Sequence, residues 1–168
     1  MATSDQPIAS ALPVAAPSKL PRWLTPSLFD LLVISLPLWF FGSSDYGTGL
    51  LLYDGDTGWH IRIGERILDS HAVPRSDPFS FSRAGAPWTA WEWACDAAMA
   101  AVYRAGGLAG VAWLTGLAIG AGIWFWIRLT WRAGGDFLLA CAMLPLVWTT
   151  AGLHWLARPH VVGWIWLL

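Results

Sequence analysis

Charge is scarce in this chain. Only 12% of its 168 residues are Asp, Glu, Lys or Arg, about half of the roughly 25% that soluble domains carry. Hydrophobic residues make up 56%, and the mean hydropathy is +0.50. Water is a poor solvent for such a chain and a bilayer is a good one. Neither sign of charge dominates: 10 Lys and Arg against 11 Asp and Glu give a net charge of −1, which supplies no electrostatic reason for a nucleic-acid partner. Cysteine is nearly absent. Cys95 and Cys141 sit far apart in apolar segments, without a metal-site partner at a recognisable spacing, and read as small hydrophobes. The pattern of an α/β nucleotide-binding domain is also missing.

What the chain does have is apolar runs. A bilayer span needs about 20 mostly apolar residues. Leu108–Ile127 contains no charge, and Phe137–Leu156 contains only His154, so both are expected to span. Gly116 and Gly120 in the first run stand at a small-xxx-small spacing that lets another helix come close. Trp124, Trp126 and Trp131 crowd its far end as interfacial aromatics do. Leu24–Gly42, with Asp30 and Pro37, and Trp88–Tyr103, with Glu92 and Asp96, are two further expected spans. The run Val161–Leu168 is too short to span, so a longer protein is expected to continue past Leu168. Residues 1–22, rich in Ala, Pro and Ser, read as a disordered cytoplasmic tail. Lys19 and Arg22 just before the first run favour a retained anchor over a cleaved signal peptide. The fold class expected is all-α: a polytopic transmembrane helical bundle over 23–168, multi-pass in a membrane, with its N-terminus in the cytoplasm. Charge placement leaves one conflict. If Trp88–Tyr103 crosses, Arg128 and Arg132 fall outside; if it does not, they fall inside, as positive residues prefer.

The one sizeable polar segment is the external loop expected over 43–87. Within it Trp59, Ile63 and Ile67 recur at helical spacing, opposed by Arg62, Glu65, Arg66 and Asp69. That is an amphipathic helix lying at a membrane surface. Pro74, Pro78, Gly85 and Pro87 then mark a loop leading back to the membrane.

The candidate chemistry clusters here. Asp54 and Asp56 stand where the first run meets the surface, able to face a lipid-embedded substrate and an aqueous one; as a carboxylate pair they could also hold a divalent cation. The alternative is that they cap the following helix. His60 lies four residues after Asp56 and could accept or orient a proton, or be an interfacial polar residue. Glu92 and Asp96 are one helical turn apart, which makes them either intramembrane functional carboxylates or a solvated face. Arg158 and His160 flank Pro159; the arginine could grip a phosphate bidentately or snorkel at the interface.

The stretch "DGDTGWHIRIGERILDSHAVPRSDPF" resembles the first external loop of the polyprenyl-phosphate-sugar-dependent membrane glycosyltransferases of GT-C fold, which include the protein O-mannosyltransferases and the lipid A aminoarabinose transferases. Asp56 falls on the family's acidic position; Thr57 departs from the usual Asp-Glu pair, and His60 stands where an aromatic is usual. "WTAWEWACDAAMAAVYRAGGLAG" fills the slot of the second span, and "HWLARPHVVGW" is similar to a later Arg-Pro-Asp-like segment, with His160 replacing the acid. The resemblance implies an enzyme of the membrane, expected in a bacterial inner membrane, that transfers a sugar from a polyprenyl-phosphate-linked donor to an acceptor at the outer face. It implies Asp56 as catalytic base supported by Asp54 and His60, with Glu92, Arg158 and His160 binding substrate. A transporter or channel subunit, or a non-enzymatic structural membrane protein, is the competing expectation.

Overall fold

The computed structural model describes residues 27–167, leaving aside the side chains of Phe137, Trp164 and Trp166. The tail expected over 1–22 lies outside the described residues. Among those residues the chain is all-α, built of α1 (Leu28–Ser43), α2 (Asp45–Leu52), α3 (Asp56–Ser70), α4 (Trp93–Arg132), α5 (Phe137–Gly152) and α6 (His160–Leu167).

Helix α1 starts where Ser27 and Asp30 form a reciprocal capping box: the Asp30 amide donates to Ser27 Oγ at 3.2 Å, and the Ser27 amide donates to Asp30 Oδ2 at 2.7 Å. Asp30 is buried, a costly position for a lone carboxylate. It is satisfied from α4, by Trp124 Nε1 at 2.7 Å, Arg128 Nε at 2.9 Å and a further close contact from Arg128 Nη2. At the other end of α1, Ser44 stops one helix and starts the next. Its hydroxyl donates to Phe40 O at 2.6 Å and accepts from the Gly47 amide at 3.0 Å, and the chain bends by 85° into α2. Helix α2 was not expected from the sequence; Gly47, Thr48 and Gly49 hide it.

Helix α4 is two arms. Gly107 holds φ 62° and ψ −155°, a backbone that L side chains rarely adopt. A Cβ on Gly110 would stand 2.9 Å from the Val102 carbonyl oxygen, although those residues would be about 12 Å apart along an unbroken helix. The chain therefore turns sharply at this corner. The arm after Gly107 runs antiparallel to α1: Trp113 covers Gly42, Gly116 meets Leu38 and Phe41, Gly120 meets Ile34, and Arg128 reaches Asp30. The close approach expected of Gly116 and Gly120 is thus made to α1. The arm before Gly107 lies parallel to α3, with Gly64 against the Asp96 backbone and Arg104 Nη2 on Asp69 Oδ1 at 2.7 Å.

Two expectations change. The helix expected over Trp88–Tyr103 begins only at Trp93, because Trp88 is held in the loop by its amide's bond to Arg75 O at 3.0 Å, next to a Ser76–Pro87 bridge. It ends beside the C-terminal end of α1 rather than at the opposite end, so it is not built as a separate crossing between α1 and the second arm. The helix expected to reach Leu156 stops at Gly152, since Trp155 folds back onto Phe41 with ring centroids 5.6 Å apart. Among the described residues one helix, α4, is long and apolar enough to cross a bilayer by length and composition, and α1 with α2 passes only if the bent pair counts as one span. In the loop before α4, Asp77 accepts from the Phe79 and Ser80 amides, each at 2.9 Å. Hydrogen bonds from Ser80, and then from the Phe79 amide, hold its carboxyl below the usual range.

The α1–α4 contact is set by backbone proximity, and glycine substitutions test it. A Cβ at Gly120 would lie 2.8 Å from Ile34 O, whereas one at Gly122 meets nothing within 4 Å. Gly120→Ala should destabilise the fold by about 1–3 kcal/mol, while Gly122→Ala should be neutral or stabilise by up to about 1 kcal/mol through helix propensity. Thermal unfolding in detergent reads both, and equal midpoints for the two variants would refute the packing.

Candidate active site

The turn between α2 and α3 places the two aspartates. The N-cap of α3 falls on Gly55, with no side-chain capping bond, so neither Asp54 nor Asp56 is the N-cap residue. Asp54 Oδ1 accepts from the Asp56 amide at 3.3 Å, and both of its oxygens go to Arg158. Arg158 Nη2 donates to Asp54 Oδ1 at 2.7 Å, and Nε makes a second close contact with Oδ2. The same Nη2 lies 2.7 Å from Asp56 Oδ2. This is the forked geometry that a guanidinium offers and an ammonium cannot. The two carboxylates differ in exposure: the Asp54 side chain is 12% exposed and the Asp56 side chain 60%.

Arg158 is delivered by the connection between α5 and α6, which is pinned to the first half of the chain by backbone bonds. The Ala157 amide donates to Leu51 O at 2.8 Å, and Thr57 Oγ1 donates to Ala157 O at 3.2 Å. Thr57, which breaks the expected Asp-Glu pair, is therefore a buried fastener. Pro159 follows and α6 begins at His160, whose Nε2 lies 2.8 Å from His154 O.

Helix α3 turns His60 toward the arm of α4 that precedes Gly107. His60 Nδ1 lies 2.8 Å from Asp96 Oδ1 and 3.9 Å from Glu92 Oε2. His60 and Asp96 are both buried, whereas the Glu92 side chain is half exposed. The pairing needs Gly64, since a Cβ there would run into the Asp96 backbone and come 2.7 Å from Ala100 Cβ. Beside His60, the Trp59 ring stands edge-to-face with Trp88 at 5.4 Å and Phe79 at 6.2 Å.

These groups surround one open cleft of about 600 Å³, with Asp56, Trp59 and His60 from α3, Glu92 from the start of α4, and His154, Arg158, Pro159 and His160 from the last connection. Of the residues expected from sequence, Asp56, His60, Glu92, Arg158 and His160 line it, and Asp54 stands behind Arg158. Sequence reasoning missed two lining residues, Trp59 and His154, and the pairing of Asp96 behind His60. Trp59 reads as one apolar position of a stripe, His154 as a lone polar residue in a span, and Asp96 as the companion of Glu92 instead of the partner of His60. The available signal for Asp96 was that a carboxylate in an apolar run must be paired. Asp54 and Asp56, expected as possible cation ligands, share a guanidinium. Among the described residues no group of three or more His, Cys, Asp or Glu is arranged to hold a metal ion.

The Arg158 fork is open to a double-mutant cycle. Arg158→Ala strands a mostly buried carboxylate and should cost about 1–3 kcal/mol, toward the low end because the cleft admits water. Asp54→Ala with Arg158→Ala should cost less than the sum of the single changes, with a coupling of roughly 0.5–3 kcal/mol. Additive losses in unfolding midpoint would show that the fork does not hold the connection in place.

The chain matches no family model, no curated protein and no solved structure, so this cleft is read from its own geometry and from the sequence resemblance.

Proposed function

We propose that this protein is an integral membrane glycosyltransferase that moves a sugar from a polyprenyl-phosphate donor to an acceptor at the outer membrane face. The observation that carries the proposal is the convergence of residues around 54–60, 92 and 158–160 on one cleft, three stretches that are distant in sequence. The cleft lies at the end of the α1–α4 pair where α1 stops. It therefore sits where a lipid-linked donor and a water-borne acceptor can meet, and not midway along the apolar arm, where a transport path needs its polar groups. In this reading α1 and the arm of α4 after Gly107 cross the bilayer in opposite directions, while α3 and the arm before Gly107 stay at one surface. Arg128 and Arg132 then share the cytoplasmic side with Lys19 and Arg22, and the charge conflict created by a crossing at Trp88–Tyr103 disappears.

Arg158 serves the donor phosphate. Its guanidinium exchanges the Asp56 oxygen for a phosphate oxygen, and Asp54 keeps the arginine oriented. A resident divalent cation fits these residues poorly, because the two carboxylates already share a positive charge and lack a third ligand. Asp56, the exposed member of the pair, faces the acceptor, and Trp59 offers the sugar an apolar wall.

Two measurements test this. In a background of Cys95→Ala and Cys141→Ala, single cysteines at Ser80 and Gly106 should label from the same side of sealed vesicles and one at Ala133 from the other; labelling of Gly106 opposite to Ser80 would refute the arrangement. Arg158→Ala should weaken binding of a polyprenyl-phosphate sugar by about 10–100-fold, the loss of one charge-assisted bonding group. Arg158→Lys should recover only part of that. An unchanged affinity in Arg158→Ala would remove Arg158 from the donor site.

A further inference from the structure

We infer that His60, oriented by Asp96, is the general base of the cleft. The assignment rests on the transferase reading and goes beyond it, because it moves the proton-accepting role from Asp56 to a different group on the opposite wall.

The geometry has three parts. His60 lines the cleft, yet its side chain is only 8% exposed. Its Nδ1 is taken by the Asp96 carboxylate at 2.8 Å, and the Asp96 side chain is only 2% exposed. No described buried side-chain nitrogen or oxygen lacks a partner, and among the described residues the hydrogen bond of the His60 ring is made by Nδ1, so Nε2 opens on the cleft. A carboxylate acceptor on one side of an imidazole fixes the proton on Nδ1 and leaves a lone pair on Nε2. The Trp59 ring packs edge-on at 5.4 Å, Glu92 Oε2 lies 3.9 Å from Nδ1, and the charged Asp56 and Arg158 line the same cleft.

Asp56 is less suited to the task. Its Oδ2 lies against Arg158 Nη2, and its side chain is mostly in water, so it has no fixed direction apart from that contact. His60 is held from behind by a buried group on another helix, which gives the fixed position that proton transfer requires. Asp96 touches no reacting atom and is a positioning residue.

The step balances without a metal or an oxidant. The acceptor hydroxyl gives its proton to His60 Nε2 while its oxygen forms a bond to the anomeric carbon. The bond from that carbon to the phosphate oxygen breaks, and its electron pair leaves with the polyprenyl phosphate. The imidazolium stands beside Asp96 and Glu92 until it returns its proton to water.

The test has two arms on the reconstituted protein. In the first, nitrogen-15 spectra of labelled histidine report the His60 tautomer without any substrate. A protonated Nδ1 with bare Nε2 is expected, and Asp96→Asn should mix the two tautomers. A proton on Nε2 in the unmutated protein overturns the assignment. In the second, release of polyprenyl phosphate from synthetic long-chain polyprenyl-phosphate hexoses and pentoses is followed, with water and added simple alcohols supplying the acceptor hydroxyl. His60→Ala should lower kcat by about 100-fold or more with KM little changed, and added imidazole should restore part of the rate, which a structural role would not allow. His60→Gln, which keeps a polar contact to Asp96, should fold and remain slow. Near-normal kcat in His60→Gln, with loss in Asp56→Asn, would return the base role to Asp56 and leave the transferase reading intact. Absence of release from every donor would overturn that reading and the base role with it, whatever the tautomer.

Discussion

The fork of Arg158 on Asp54 and Asp56 is the contact on which the cleft depends. In a chain with so few charges, each one placed away from bulk water must meet a counter-charge, since an unpaired ion loses several kcal/mol of hydration. Arg158 meets two, across about a hundred residues of sequence. The bond does more than neutralise. It draws the connection after α5 back over the α2–α3 turn, where Ala157 joins Leu51 and Thr57, and it brings His154 and His160 opposite His60. Together with those backbone bonds it sets the second wall of the cleft.

The other wall depends on small residues. Helices approach until something larger than hydrogen stands between their backbones. Gly116 and Gly120 let α1 lie against the second arm of α4, and Gly64 lets α3 lie against the first. The second approach has chemical consequences. A hydrogen bond tolerates only a few tenths of an ångström of error, so the 2.8 Å from His60 to Asp96 exists because nothing at position 64 holds the helices apart. The Gly107 corner does the same at larger scale, turning one apolar stretch into two arms that serve two neighbours.

How much of this was legible in the sequence follows from which forces act locally. The amphipathic helix was visible because the repeat of Trp59, Ile63 and Ile67 is a property of adjacent turns, and the long apolar arm because twenty residues without charge have few other uses. The break near Gly107 was visible as a gap between two runs, though not as a sharp corner, because direction is set by what the arms pack against. Helix α2 was hidden because Gly47 and Gly49 lower its propensity, and it forms where Ser44 supplies a cap. The candidate residues Asp54, Asp56, His60, Glu92, Arg158 and His160 were found by type and by resemblance. Their pairing was not, since a sequence shows that Asp96 needs a partner but not that His60, on a helix beyond a twenty-residue loop, will supply it. The capping role weighed for the aspartates holds only in part: Gly55 is the N-cap residue, while Asp54 accepts from the Asp56 amide at the start of α3 and also takes Arg158.

The two polar devices in the cleft also differ in how firmly they are held. The Arg158 side chain is 34% exposed and Asp56 60%, so water already reaches their contact, and an anion arriving there has little desolvation to overcome. Asp54 holds both Nε and Nη2, whereas Asp56 is near Nη2 alone, so in the proposed reaction a donor phosphate would displace Asp56 first and leave the arginine still aimed by Asp54. The His60–Asp96 pair has no such exchange available, because both side chains are buried and the helices that carry them touch at Gly64. One side of the cleft can therefore trade partners when a ligand binds while the other keeps its geometry. The proposed transfer needs both properties: a charge that can be handed to the donor, and a lone pair whose direction does not change when that happens.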